Sequence, residues 1–278
     1  MSADFVLEGV RHEYRAGAPA LAAIDLTILS GQHVAVVGAN GSGKSTLLKM
    51  LDGLVFPTSG AIRAFGAPLT EDALEDPAFR RDFRARVGFV FQEADVQLFC
   101  SDAYDELAFG PLQLGLPRDE VARRVREAAQ QLRIEPLLDR PPYTLSGGEK
   151  KRVAIASVLT MQPHVLLLDE PFTGVDVNAK EAILVLLARL RERRITILVS
   201  THDMQTAADR FELVALLNGR LVAYGPPSEV FTAEHIGTAF GGQALFLDGM
   251  VVIDQCCPGH VGDGEEHRHS HEPHAGPR

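Results

Sequence analysis

Residues His33–Leu51 read HVAVVGANGSGKSTLLKML. Val34–Val37 is apolar and rich in β-branched residues, which predicts a short buried strand. The run stops at Gly38, and Asn40, Gly41, Ser42 and Gly43 follow in a turn-forming segment. From Thr46 onward apolar residues recur at helical spacing. A strand, a G-x-x-x-x-G-K-[ST] turn and a helix in that order make a phosphate cradle. The glycines let backbone N–H groups turn inward around phosphate oxygens, and the N-terminus of the helix adds positive potential. Lys44 is placed to reach β- and γ-phosphates, and the Ser45 hydroxyl to bind Mg²⁺.

The rest of the chain supplies a frame for that loop. Its 278 residues are 46% hydrophobic, enough for a sizeable core. A net charge of −10 argues against nucleic acid as the partner, because a phosphate backbone demands clustered Lys and Arg. The start, MSADFVLEG, has neither the basic nor the apolar region of a signal peptide. No apolar run reaches membrane-spanning length. Three cysteines, Cys100, Cys256 and Cys257, are too few for a disulfide framework.

Strand and helix patterns alternate along most of the chain. FVLEGVRHEY and AAIDLTIL read as antiparallel strands near the start. RVGFVFQ, HVLLLDE and ITILVSTH read as buried parallel strands, with KKRVAIASVLTM and NAKEAILVLLARLRER as helices between them. From about Asp95 to Leu137 the pattern turns helical and interrupts the alternation, as an inserted helical subdomain does. LVALLNGRLVAYG reads as a hairpin turning at Asn218-Gly219. The expected fold is α/β, with a mainly parallel sheet, an N-terminal antiparallel β subdomain and an inserted α-helical subdomain.

Asp169 and Glu170 end the strand of VLLLDE. The first can hold Mg²⁺ through water; the second can orient and deprotonate an attacking water. Downstream of the helical block stands Leu145-Ser146-Gly147-Gly148-Glu149, opening a helix. This run resembles the signature of ATP-binding-cassette ATPases, P-loop NTPases in which it usually ends in Gln; here Glu149 departs from that form.

The resemblance implies further roles. Ser146, Gly147 and Gly148 would bind the γ-phosphate of ATP held by a second subunit. Gln92 in FVFQE would touch Mg²⁺ and the attacking water. Asp176 in TGVD would cross the dimer seam, and His202 in VSTHD would hold the γ-phosphate and the water. Tyr14 stands near the place of the aromatic that stacks on adenine. The resemblance covers about residues 5–224. It implies an ATPase domain over residues 1–225 with its helical subdomain at about 95–155, followed by a short extension over 226–255. Residues 256–278, rich in Gly, Pro, His and charge, read as a disordered tail.

Val87–Leu116, VGFVFQEADVQLFCSDAYDELAFGPLQLGL, resembles the ATPases of energy-coupling-factor transporters, and the run from Ser146 to Pro171 resembles their cobalt and nickel branch. The resemblance implies ATP and Mg²⁺ as ligands and a homodimer or heterodimer of ATPases. It implies a substrate-binding membrane subunit and a membrane scaffold contacted near Asp95, Gln97, Leu98 and Phe99. The chain would then sit peripherally on the cytoplasmic face of the cell membrane. An importer of a vitamin or another nutrient is an alternative, and a soluble cassette protein acting on nucleic acid or ribosomes a more distant one.

The tail bears on the cargo. Cys256, Cys257, His260, His267, His269, His271 and His274 are all potential ligands for a transition metal. The HRHSH alternation would place three imidazoles on one side of an extended strand. The spacing of a structural zinc site is missing, so the tail reads either as loose metal capture or as a plain solvated segment. GGQALFLDGMVVIDQ, before the tail, reads as a short hairpin or a dimer contact.

Overall fold

In the computed structural model, residues 2–15, 17–240, 244–247 and 250–253 are described. The chain opens with two long strands, β1 (Ala3–Arg15) and β2 (Ala18–Leu29), which pair antiparallel. β3 (His33–Val37) follows and leads through the glycine-rich loop into α1 (Lys44–Leu51). Next come β4 (Ser59–Ala64), β5 (Ala67–Pro68), α2 (Glu71–Glu75), α3 (Pro77–Arg86) and β6 (Val87–Val90). Helices α4 (Ala103–Gln113), α5 (Arg118–Leu132) and α6 (Gly147–Leu159) then pack on one another. The alternation resumes with β7 (Val165–Leu168), α7 (Val177–Glu192), β8 (Thr196–Thr201) and α8 (Met204–Arg210). β9 (Leu213–Leu217) and β10 (Leu221–Gly225) form the expected hairpin. Short helices α9 (Pro227–Val230) and α10 (Ala233–Phe240) precede a two-stranded antiparallel hairpin, β11 (Ala244–Leu247) and β12 (Met250–Ile253).

Two main sheets result. The antiparallel one has the order β2-β1-β4-β5, and the larger one β10-β9-β3-β8-β7-β6, parallel except at β10. Alternate residues of β3 serve two cores. Val34 and Val36 pack with β1, β2 and α1, whereas Ala35 and Val37 face the cluster built from α4–α7. Burial on both faces explains why β3, β7 and β8 read as continuous apolar runs.

This order fixes where chemistry can occur. β3, β8, β7 and β6 are neighbours and run the same way, so the residues after Val37, Leu168, Thr201 and Val90 emerge together. Crevices outside the carboxyl ends of such strands are where open α/β sheets bind ligands.

One local expectation is corrected. The segment after Gln92 begins as one 3₁₀ turn, Ala94–Val96, and α-helix starts only at Ala103. The β4–α3 stretch, largely exposed, carries no expectation from the sequence. Cys256, Cys257, His260, His267, His269, His271 and His274 lie outside the described residues.

Candidate active site

A cleft of ≈ 570 Å³ opens at the carboxyl edge of the sheet. It brings together Tyr14, Asn40, Gly41, Gly43, Lys44, Ser45, Thr46, Gln92, Glu170 and His202, all singled out from sequence. Ala20 and Thr173 join them.

The floor is the glycine-rich loop. Gly43 is the N-cap of α1 at φ 97°, and among the described residues no side chain caps the helix. The first N–H groups of α1 are therefore free for an anion. A Cβ at Gly43 would lie 2.4 Å from Leu21 Cδ2 and 2.6 Å from the Ala20 carbonyl oxygen, so the strand β2 can approach only a glycine. Ser42 is buried, and its Oγ has no hydrogen-bond partner among the described residues. Lys44 is buried too, with Nζ donating to the carbonyl oxygens of Gly38 (3.0 Å) and Ala39 (3.1 Å). An orphaned hydroxyl, uncapped N–H groups and a lysine make a set of donors that matches a polyphosphate.

The wall carries two carboxylates. Asp169 Oδ1 accepts from Ser45 Oγ at 2.9 Å and from Ser200 Oγ at 2.6 Å. Ser45 and Asp169 are hard oxygen donors side by side, a set that fits Mg²⁺. Glu170 stands at φ 45°, in the left-handed region that non-glycine residues seldom occupy. The turn is fixed by the Glu170 N–H donating to Ser200 Oγ at 2.8 Å. It aims the carboxylate into the cleft, where Oε1 lies 3.6 Å from Lys44 Nζ. Oε2 accepts from Thr173 Oγ1 at 3.0 Å and lies 3.0 Å from His202 Nδ1. A buried carboxylate with one imidazole partner, beside a phosphate loop, can take a proton from water.

Tyr14 is exposed at the cleft mouth, its hydroxyl 3.3 Å from Thr46 Oγ1. Gln92 follows β6, and its carbonyl accepts from Lys151 Nζ at 2.5 Å. Burial holds the Lys151 ammonium below the usual lysine range. Ser200, Thr173 and Lys151 were missed in the sequence. No sequence signal singled out Ser200, which is one of three hydroxyl residues in ITILVST.

Ser146, Gly147, Gly148 and Asp176 do not line this cleft. Ser146 caps α6 in a reciprocal box: its Oγ accepts from the Glu149 N–H at 3.3 Å, and its N–H donates to Glu149 Oε2 at 2.8 Å. The Ser146 N–H holds the Glu149 carboxyl below its ordinary range. Glu149 is thus a capping residue, which accounts locally for an acid at that position. A Cβ on Gly148 would lie 3.6 Å from Asp176 Oδ2, so these two elements adjoin at the surface. Asp176 itself caps α7 through Oδ1 and the Ala179 N–H, 2.8 Å apart.

Near Gln92, Asp95 and Phe99 face outward, and Phe99 is 67% exposed. Leu98 packs against the core. Gln97 is turned inward, its Nε2 donating to the Ala154 carbonyl at 2.9 Å while Oε1 accepts from the Phe91 N–H at 3.2 Å. Val96, Phe99, Tyr104, Phe109 and Leu112 are exposed apolar side chains of the same stretch. Among the described residues no helix is long and apolar enough to cross a membrane.

A phosphate loop, a strand-end carboxylate pair and a glycine-led helix start on this fold define a cassette-type ATPase. Residues 21–173 match the ABC transporter family model, and the chain belongs to that family. It is 50% identical over 234 residues to the nickel import ATP-binding protein NikO of Rhodobacter capsulatus, covering 83% of this chain and 92% of that protein. It is 47% identical over 191 residues to the nickel import ATP-binding protein LarO of Lactiplantibacillus plantarum, covering 68% and 79%. Among solved structures it resembles cbiO1 of Clostridium perfringens, part of the ABC transporter complex cbiONQ. That match has a TM-score of 0.74 and 36% identity, over 85% of this chain and 93% of that one. The cassette MJ0796, solved as a dimer with ADP and Pi, matches with a TM-score of 0.73 and 28% identity, over 80% and 98%.

Proposed function

We propose that this chain is the ATP-hydrolysing subunit of an energy-coupling-factor importer for nickel or cobalt. The observation that carries the hydrolytic part is the Glu170 carboxylate, held between Lys44, Thr173 and His202 at the edge of the cleft. Kinship with two nickel import ATP-binding proteins supports the cargo.

The triphosphate of ATP would lie on the N–H groups of Gly41–Thr46, with Lys44 beside the β- and γ-phosphates. Mg²⁺, held by Ser45 with Asp169 and Gln92, would neutralise charge on those phosphates. Glu170 accepts a proton from a water aligned on the γ-phosphorus. The new P–O bond forms as the bond to the ADP oxygen breaks. His202 fixes the Glu170 carboxylate and the water. Tyr14 stacks on the adenine.

One chain supplies only part of this site. The start of α6 and Asp176 lie outside the chain's own cleft, so Ser146, Gly147 and Gly148 serve the nucleotide of a second ATPase, with Asp176 at the seam. The exposed apolar strip around Phe99 takes the membrane scaffold, with Asp95 at its rim and Gln97 and Leu98 bracing it from within. The chain then sits peripherally on the cytoplasmic face, alongside a substrate-binding membrane subunit. The histidine-rich tail captures metal loosely near that assembly.

The test is uptake of labelled Ni²⁺ and Co²⁺ by cells carrying the intact transporter. Glu170→Gln should abolish uptake of the cargo metal, and a chain cut after Gln255 should reduce uptake at low metal. Unchanged uptake of both metals in the Gln variant would overturn the metal reading and leave another nutrient as cargo.

A further inference from the structure

His12 is a buried side chain that neither core packing nor the hydrolytic machinery accounts for. It lies on β1 two residues before Tyr14. Its Nδ1 is 2.9 Å from the Phe56 carbonyl oxygen. A carbonyl only accepts, so the proton sits on Nδ1 and the ring plane is pinned. The other nitrogen, Nε2, is buried and has no partner among the described residues. A purely apolar ring would fill the space without that unpaired acceptor.

What the imidazole touches is Tyr14. The two rings meet edge to face, with centroids 4.5 Å apart and planes at 85°. This is a favoured aromatic geometry. Tyr14 is otherwise exposed, tethered at its far end by the 3.3 Å contact with Thr46. An exposed phenol with one long hydrogen bond keeps rotamer freedom that it must lose to receive a base. The pinned imidazole removes that freedom in advance.

We infer that His12 is a positioning residue for the nucleotide base, holding the Tyr14 ring in the plane that stacks on a purine. The inference rests on the reading of Tyr14 as the base-stacking residue. It predicts that His12 contributes to affinity for nucleotides that carry a base and nothing to the triphosphate itself.

The test compares calorimetric dissociation constants of the full chain for Mg-ATP and for Mg-tripolyphosphate, which lacks the base. His12→Ala should weaken Mg-ATP roughly three- to tenfold, the range of a lost aromatic contact. It should leave Mg-tripolyphosphate within twofold. His12→Phe, which restores an edge-on ring, should recover most of the loss. Equal weakening of both ligands would show a merely structural role and overturn the inference, as would a Phe variant no better than Ala. Tyr14→Ala separates the two levels. If it weakens Mg-ATP while His12→Ala does not, the inference about His12 fails and the reading of Tyr14 stands. If neither variant weakens Mg-ATP, the base site itself is misplaced and both fail.

Discussion

Replacing Glu170 by Gln keeps the size of the side chain and removes its charge. The backbone bond from the Glu170 N–H to Ser200 Oγ does not involve the carboxylate, so the unusual φ of 45° is retained. What changes is the ability of Oε2 to accept a proton beside His202. Loss of a positioned general base lowers turnover roughly a hundred- to ten-thousandfold, or about 3–5 kcal/mol of barrier. ATP binding moves the other way. Glu170 Oε1 lies 3.6 Å from Lys44 Nζ, so a carboxylate now sits beside the lysine proposed to receive phosphate. Neutralising it frees Lys44 for the nucleotide and should hold or tighten Mg-ATP affinity. The assay pairs phosphate release at saturating ATP with a calorimetric dissociation constant. Turnover within tenfold of the parent would refute the base assignment. Weakened ATP binding would refute the account of the Lys44–Glu170 pair.

Lys44→Ala removes a charge-assisted donor from the loop and should weaken Mg-ATP roughly ten- to hundredfold in the same calorimetric assay. Gly43→Ala forces a Cβ at φ 97° to within 2.6 Å of the Ala20 carbonyl oxygen. It should cost about 1–3 kcal/mol in denaturant unfolding, and an undiminished midpoint would show that β2 gives way freely. His33 is buried at the start of β3, and burial lowers its pKa from 6.5 to about 4, against a hydrogen bond to the Ile195 carbonyl. The unfolded chain therefore takes up this proton below 6.5 and the folded one only near 4. The resulting stability is complete above pH 6.5 and is lost as pH falls toward 4, by about 3 kcal/mol. His33→Gln should flatten that part of the urea midpoint–pH curve; a variant with the parent's full decline would locate the acid sensitivity elsewhere.

The parts of the fold that were legible share a cause. β3, β7 and β8 are buried on both faces, so they stand out as apolar runs, and their ends fall on Gly38, Asp169 and His202. The β4–α3 stretch had no such contrast. β4 is exposed over most of its length, and α3 buries only Phe83, so neither writes a strong period into the sequence. In the site, residues with distinctive chemistry could be placed by order along the chain. Ser200, Thr173 and Lys151 could not, because their roles are relational. Ser200 is an ordinary strand hydroxyl until folding sets it between the Asp169 carboxylate, to which it donates, and the Glu170 backbone N–H, from which it accepts.

The bracing of the segment after β6 joins the two ends of the proposed function. Gln97 ties the Phe91 N–H to the Ala154 carbonyl of α6, and Lys151, also on α6, donates to the Gln92 carbonyl. The strip around Phe99 is anchored to the same helix by the contact of Lys150 with Asp95 at 2.5 Å. A displacement of that strip by the proposed membrane partner would therefore be shared by Gln92 in the cleft and by the Ser146–Gly148 end of α6. The first lines the chain's own cleft, and the second would face the nucleotide of a partner in the proposed dimer. Rigid, hydrogen-bonded elements of this kind carry coupling only if both sites bias one movement. Here a single helix is bonded to the loop proposed to meet the membrane scaffold and presents the donors that would close a dimer. In that reading, coupling between transport and hydrolysis resides in α6 and its three polar anchors rather than in the cleft itself.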